Sequence, residues 1–394
     1  MIAEVSWEAA EKVASALVGR MPHEGSYHYR SLSADFEELT ALAVEEVSAA
    51  TGMSAGRSPA RSEVLDRPAW VRANVSSIAW LLGSLAERGL AGEERPDGGG
   101  PDGGGPDDGG GASRRQLPTT PYLLGAGVGT VLAWMSKRVL GQYDMLVVPR
   151  ERQTGEVLKV PFHGGPGDPG TRGADPGEPG AIYYVGPNVV SLEKRYGFAP
   201  RQFRLWIALH EVAHWLQFAN APWLKDHLMA LVQKGVGLLS SDPEQLAAAL
   251  KRLPRGVRML RERPGEIGIV GLLAGPEQLE AMRRVQGIMS LLEGHGNFVM
   301  NKIGSALVTD GAHFNAVLRA RRNAAPPVSK LVQRALGFDV KMRQYEQGEA
   351  FVATVEAAGG SGLLARAWAS PENLPSLDEV HAPLEWVSRI EQSG

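Results

Sequence analysis

The apolar positions of this chain recur mainly at helical spacing. Residues 1–20 alternate apolar and charged groups, and Ser33–Ala50 repeats the pattern with Phe36, Leu39, Leu42, Ala43 and Val47 on one stripe. A third helix is predicted from Asp66, a good N-cap with Pro68 in the first turn, through Trp70, Val71, Val75, Ile78, Leu81 and Leu82 to about Gly89. Tyr122–Leu140 reads as a fourth. Its Gly125, Gly127 and Gly129 have neither a strand before them nor a Lys-Ser/Thr pair at phosphate-loop spacing, so they predict close helix packing. From Pro200 the chain is again helical, with apolar runs over Leu205–Phe218, Trp223–Leu238 and about Pro276–Ile303. Short strands are predicted at Asp144–Pro149, Val157–Phe162 and Ala181–Val185, the last with consecutive β-formers between Gly-Pro breakers. The pattern is that of a mainly α protein with a small β-sheet, an α+β architecture.

Two stretches interrupt it. Residues 91–118, which include PDGGGPDGGGPDDGGG, and residues 164–180 are too poor in apolar groups to order themselves. The expected organisation is an N-terminal helical part over 1–90, a flexible insertion over 91–118 and a catalytic region over 119–394 carrying the second insertion. The first and last of these are expected to form one compact domain.

Composition narrows the chemistry. The 394 residues carry a formal charge of −3, which argues against a dedicated nucleic-acid binder. There is no cysteine, so a metal site must use His, Asp or Glu. The first residues have no signal-peptide core, and the apolar stretch Pro121–Met135 is too short to span a bilayer. A soluble, cytoplasmic protein without membrane or nucleic-acid partners is expected. The basic run Lys251–Arg263 is read as a solvated surface.

The most informative stretch is LWIALHEVAHWLQF, Leu205–Phe218, with His210 and His214 one turn apart and Glu211 beside them. On a helix, residues four apart share a face, so both imidazoles can address one metal ion, with Glu211 placed to handle a water. So apolar a helix buries most of its surface, and two imidazoles and a carboxylate within it cost several kcal/mol unless they are paired. A zinc site needs at least a third protein ligand. The metzincin pattern wants Gly at 217 and His at 220, where this chain has Gln217 and Asn220. The favoured third ligand is Glu293, the only carboxylate in the apolar run Gly287–Met300. Gly287, Gly294 and Gly296 in the same helix each cost about 1 kcal/mol relative to alanine, so they point to a close helix approach or to room for a ligand. His295 is a competitor about 200° round the helix from Glu293, so the two should not both bind one ion. Asp226, His227 and His313 stay open as alternatives, whereas His23, His28, His163 and His381 are read as surface or core residues.

GQYD at Gly141–Asp144, VGPNVVSLEKRYG, FRLWIALHEVAHWLQF, APWLKDHL, LLEGHGNFVM and MRQYEQGEAFV together resemble an actinobacterial and chloroflexal family of zincin-like hydrolases or zinc-dependent metalloproteases. One branch of that family is linked to deazaflavin coenzyme biosynthesis. The resemblance runs from about Asp66 to the C-terminus, outside both glycine-rich insertions. It implies a largely helical zincin-like fold, zinc held by His210 and His214, and Glu211 as the catalytic carboxylate. Glu293 then matches the second-helix glutamate of gluzincins.

The expected reaction is hydrolysis of a peptide or small amide, with Zn²⁺ on His210, His214 and Glu293 and with Glu211 as general base. His295, Tyr183, Tyr184 and Arg204 are the candidates for steadying the oxyanion, and the edge of Ala181–Val185 is a candidate for receiving the substrate main chain. The rival expectation is a metal-stabilised partner-binding scaffold.

Overall fold

The computed structural model describes residues 5–19, 23, 25–54, 60–91, 120–146, 180–236, 275–323 and 338–393. Both glycine-rich insertions (all of the first but Ala91, all of the second but Gly180), the strand expected at Val157–Phe162, and Lys251–Arg263 lie outside the described residues. In chain order the elements are α1 (Trp7–Val18), α2 (Tyr27–Arg30), α3 (Leu32–Thr51), β1 (Arg61–Leu65), α4 (Arg67–Ala91), α5 (Thr120–Ser136), β2 (Gly141–Asp144) and β3 (Ala181–Val185). They continue with α6 (Gly186–Tyr196), α7 (Pro200–Asn220), α8 (Trp223–Val236), α9 (Pro276–Leu307), α10 (Gly311–Asn323), α11 (Phe338–Ala365), α12 (Leu377–His381) and α13 (Pro383–Gln392). Among the described residues the fold is mainly α with one three-stranded sheet, as its hydrophobic periodicity predicts.

The sheet order is β1-β3-β2, with β1 parallel and β2 antiparallel to β3. Every residue of β3 is buried, and its alternation divides the core into two layers. Ile182 and Tyr184 face α3, α7 and α9, whereas Ala181, Tyr183 and Val185 face α1, α4 and α5. This corrects one expectation: Ala181–Val185 is the central strand, its backbone is paired on both sides, and it has no edge to offer a substrate. The edge beside the HExxH helix belongs to β2. Of the expected strand Asp144–Pro149, Asp144 closes the strand Gly141–Asp144, Met145 and Leu146 form a turn, and residues 147–149 lie outside the described residues.

Local chemistry fixes the helices around this sheet. Asp66 Oδ1 accepts the Ala69 N–H at 2.6 Å and starts α4. Ala199 is extended and Pro200 opens α7, the arrangement a helix N-terminus favours. Arg204 on α7 is buried and pairs with Glu193 of α6 through both oxygens, at 2.7 and 2.9 Å, and with Asp35 of α3. It is a brace between elements. Tyr184 stacks on Phe36 and shares a hydrogen bond with Thr40 at 2.8 Å inside the core. Arg204 and Tyr184 are thereby withdrawn from the oxyanion role expected of them; buried Tyr183 belongs to the α1/α4/α5 layer.

Gly125 and Gly129 of α5 show why that helix carries glycine. A Cβ at either would strike a backbone carbonyl of the segment forming α1, that of Ser6 or of Ala10, whereas one at Gly127 would meet nothing within 4 Å. Gly129→Ala is therefore expected to destabilise the protein by about 1–3 kcal/mol through overpacking. Gly127→Ala is expected to stabilise by up to about 1 kcal/mol through helix propensity. Denaturant unfolding of the two variants checks the pair, and equal midpoints would refute the packing role.

Candidate metal centre

The site forms where α7 crosses α9. Three glycines let α9 approach its neighbours. A Cβ at Gly287 would lie 2.8 Å from the Pro375 carbonyl, one at Gly294 would strike the Gly348 backbone of α11, and one at Gly296 would lie 3.3 Å from Cε1 of both His210 and His214. Each glycine thus answers to a close contact, and the last answers to the metal-ligand candidates themselves.

His210, His214 and Glu293 are the one group of metal-ligating side chains that converges among the described residues, with ligand atoms all within 4.8 Å of one another. His210 Nε2 and His214 Nε2 are 3.2 Å apart, and Glu293 Oε2 is 3.6 and 3.5 Å from them. Tetrahedral zinc bonds of about 2.0–2.1 Å require ligand atoms about 3.3–3.4 Å apart. The triangle fits that spacing on all three edges. Glu293 is thus at ion-pair distance from both nitrogens, and the same spacing suits three ligands around one ion. The two imidazole planes stand at 86° to each other.

Glu211 lies beside this triangle and is only 6% exposed. The tetrapeptide GQYD explains its position. Gln142 and Asp144 turn to α4, where Gln142 Nε2 donates to Asn74 Oδ1 at 3.1 Å and Asp144 Oδ2 accepts from Ser77 Oγ at 3.0 Å. Gly141 and Tyr143 turn to α7, and the Tyr143 ring packs against Phe218. The Val185 N–H donates to the Leu140 carbonyl at 2.8 Å, so the antiparallel alternation directs the main-chain groups of Gly141 and Tyr143 away from β3. The Tyr143 N–H donates to the Glu211 carboxylate. A Cβ at Gly141 would sit 2.5 Å from Glu211 Oε1, so residue 141 has room for hydrogen only. Neither Gly141 nor the Tyr143 amide is evident as a site group from the sequence; the available signal was a glycine inside a strand, which marks close approach.

Burial raises the Glu211 carboxyl above the ordinary carboxylate range and Glu293 adds to this, against the opposing charges of His210 and His214 and the Tyr143 N–H. Burial pulls the His214 imidazole down, but the hydrogen bond and charge of Glu293, with Glu211 and Gln217, outweigh it and raise the imidazole to about 9. The side chains therefore create a negative potential that holds a proton, and a divalent cation competes for the same place. Below about pH 9 the metal-free His214 is protonated, and a ligand to zinc must be neutral, so zinc uptake near neutral pH is expected to release that proton. Apparent zinc affinity should rise with pH and level off above about 9. Calorimetric titration in buffers of different ionisation enthalpy reads the proton release, and a buffer-independent heat would contradict it.

The triangle opens on a cleft of about 260 Å³, lined by Leu140, Gly141, Glu211, Asn297, Asn301 and Arg319 among others. His295, expected to be a catalytic group, is not on its wall. It is buried behind His214, where its Nδ1 meets Gln217 Nε2 at 3.0 Å and its ring stands edge-on to Trp368. Burial, with the charge of His214, lowers its pKa to about 3 and keeps the ring neutral. The alternative ligands lie apart from the centre: His227 packs edge-on to Trp223, His313 packs edge-on to Phe198, and Asp226 does not join the ligating group.

A mainly helical fold with this His-His-Glu centre defines a zincin, and the comparisons agree. The zincin-like metallopeptidase family model matches residues 5–387, so the chain belongs to that family. It is also similar to a solved structure from Chloroflexus aurantiacus, described as "a putative hydrolase with a novel fold". The two share 26% identity over 99% of this chain and 100% of the other, with a TM-score of 0.64. A comparison with curated proteins finds no match. The family implies a bound metal and hydrolytic chemistry. No helix among the described residues is long and apolar enough to cross a membrane.

Proposed function

We propose that this protein is a zinc-dependent peptidase in which His210, His214 and Glu293 hold the metal and Glu211 is the general base. The observation that carries the reading is Glu211 itself. A structural zinc site has no use for a second, non-ligating carboxylate, yet this one is buried beside the ligands, held by a backbone N–H and given space by Gly141. That arrangement favours a hydrolase over a partner-binding scaffold.

Zinc at the three ligands would supply a Lewis acid for the scissile carbonyl and lower the pKa of the attacking water. The Glu211 carboxylate takes the proton that this water loses and then delivers it to the leaving amide nitrogen. The Tyr143 N–H holds the carboxylate still, so little orientation is left to be gained at the transition state. Gly141 and Leu140 line the cleft, and the main-chain groups of Gly141 that point away from β3 would pair with an extended substrate backbone. This edge supports a peptide over a compact small amide.

The test is incubation of the zinc-loaded protein with a mixed peptide library and analysis of the products by mass spectrometry. Cleavage that disappears on chelation and returns with zinc is expected. Intact peptides alongside hydrolysis of small acyl amides would move the substrate to that class.

A further inference from the structure

We propose that Gln217 is a positioning residue that selects which nitrogen of His214 faces the metal and ties the α7 ligands to the α9 ligand. The inference rests on reading His210, His214 and Glu293 as a metal centre.

Gln217 lies one turn beyond His214 on α7 and is fully buried. Its Nε2 is 3.0 Å from the carbonyl of Leu292, the residue before Glu293. A carbonyl can only accept, so the atom facing it must be the amide nitrogen, and the orientation of the side chain is fixed. Oε1 is then the atom 3.0 Å from His214 Nδ1, and that nitrogen must carry a proton to donate. In the neutral ring the free lone pair is left on Nε2, the atom that meets His210 Nε2 at 3.2 Å and Glu293 Oε2 at 3.5 Å. The second amide hydrogen goes to His295 Nδ1 at 3.0 Å, so His295 accepts there and carries its proton on Nε2. One side chain thus spans from a ligand on α7 to the main chain adjoining the ligand on α9.

This chemistry requires an amide. Ligating histidines commonly donate to a carboxylate, which strengthens the ligand. A carboxylate at position 217 would keep the acceptor for His214 but would face the Leu292 carbonyl with an oxygen and would offer His295 no hydrogen. Only a group with an acceptor at one end and two hydrogens at the other satisfies all three neighbours, and a neutral partner leaves the centre less electron-rich than a carboxylate would.

Two substitutions separate these contributions. Gln217→Met keeps the volume and removes every hydrogen bond, and Gln217→Glu keeps only the acceptor. Zinc affinity is read by competition with a chromophoric chelator, and ligand geometry by the visible spectrum of the Co²⁺-loaded protein. Gln217→Met is expected to bind zinc about 10–100-fold more weakly than wild type, with cobalt bands of changed intensity. In Gln217→Glu the lost donors at Leu292 and His295 should change the cobalt bands although the carboxylate strengthens His214 as a ligand. Unchanged affinity and spectrum in Gln217→Met would overturn the positioning role, and a wild-type cobalt spectrum in Gln217→Glu would overturn the tie to α9. A wild-type protein that takes up no zinc would instead refute the metal centre on which the inference rests. Should the variants fail to fold, ¹⁵N NMR of histidine in the zinc-loaded wild type decides the matter. A proton on His214 Nδ1 and on His295 Nε2 is expected, and the opposite tautomer at either ring would overturn the assignment.

Discussion

Glu211→Gln is expected to bind zinc as the wild type does and to lose at least about 100-fold, and up to about 10⁴-fold, in turnover, the usual contribution of a general base. The substitution keeps the volume of the side chain, and an amide oxygen can still accept the Tyr143 N–H. What is lost is the capacity to take a proton. It also removes a buried carboxylate whose charged form burial disfavours, so the variant should unfold at the same denaturant concentration as wild type or a higher one. The checks are zinc content, an unfolding curve and single-turnover rates on a peptide that the wild type cleaves. Retained turnover in this variant would end the general-base assignment. Lost zinc would mean that Glu211 belongs to the ligand set.

Glu293→Ala is expected to weaken zinc binding by more than about 100-fold, because even partners outside the ligand shell are worth about 10–100-fold. The carboxylate lies 3.5–3.6 Å from both ligand nitrogens on α7 and is the acidic member of the triangle. Its removal also takes away the main influences that raise His214, so the imidazole in the variant should titrate below about 9. Chelator competition measures the first effect and NMR titration of the metal-free protein the second. Undiminished zinc affinity would place the third ligand elsewhere.

The sequence exposed most of what positions the centre. The apolar run around His210 and His214 required a buried helix, and α7 is one. The lone Glu293 among Gly287, Gly294 and Gly296 suggested a second helix making a close approach, and all three glycines lie against neighbouring groups. The 200° offset separating His295 from Glu293 has a physical counterpart in the structure, where the ring points back to Gln217 instead of into the cleft.

Pairwise tertiary chemistry was harder to read. GQYD is too short to show a period, and its roles depend on α4 and α7, which lie far from it in sequence in opposite directions. Gln217 looked like the absence of a metzincin glycine, because its purpose lies in a carbonyl 75 residues away. Ala181–Val185 has no polar alternation, the pattern of a strand buried on both faces, and such a strand sits at the centre of a sheet. β1, with the sequence RSEVL, offers no alternation at all and is extended because β3 pairs with it. Arg204 had the chemistry of an oxyanion donor, and only the positions of Glu193 and Asp35 show that its charge is already used.

The central claim is that His210, His214 and Glu293 together hold one zinc ion. The most direct test is an anomalous difference map, from data collected on either side of the zinc absorption edge, on crystals of the zinc-loaded protein. The account predicts a single strong peak at about 2.0–2.2 Å from His210 Nε2, His214 Nε2 and a Glu293 oxygen, with Glu211 close by but not bonded to it. A peak at another set of side chains, or none at this triangle under saturating zinc, would contradict it.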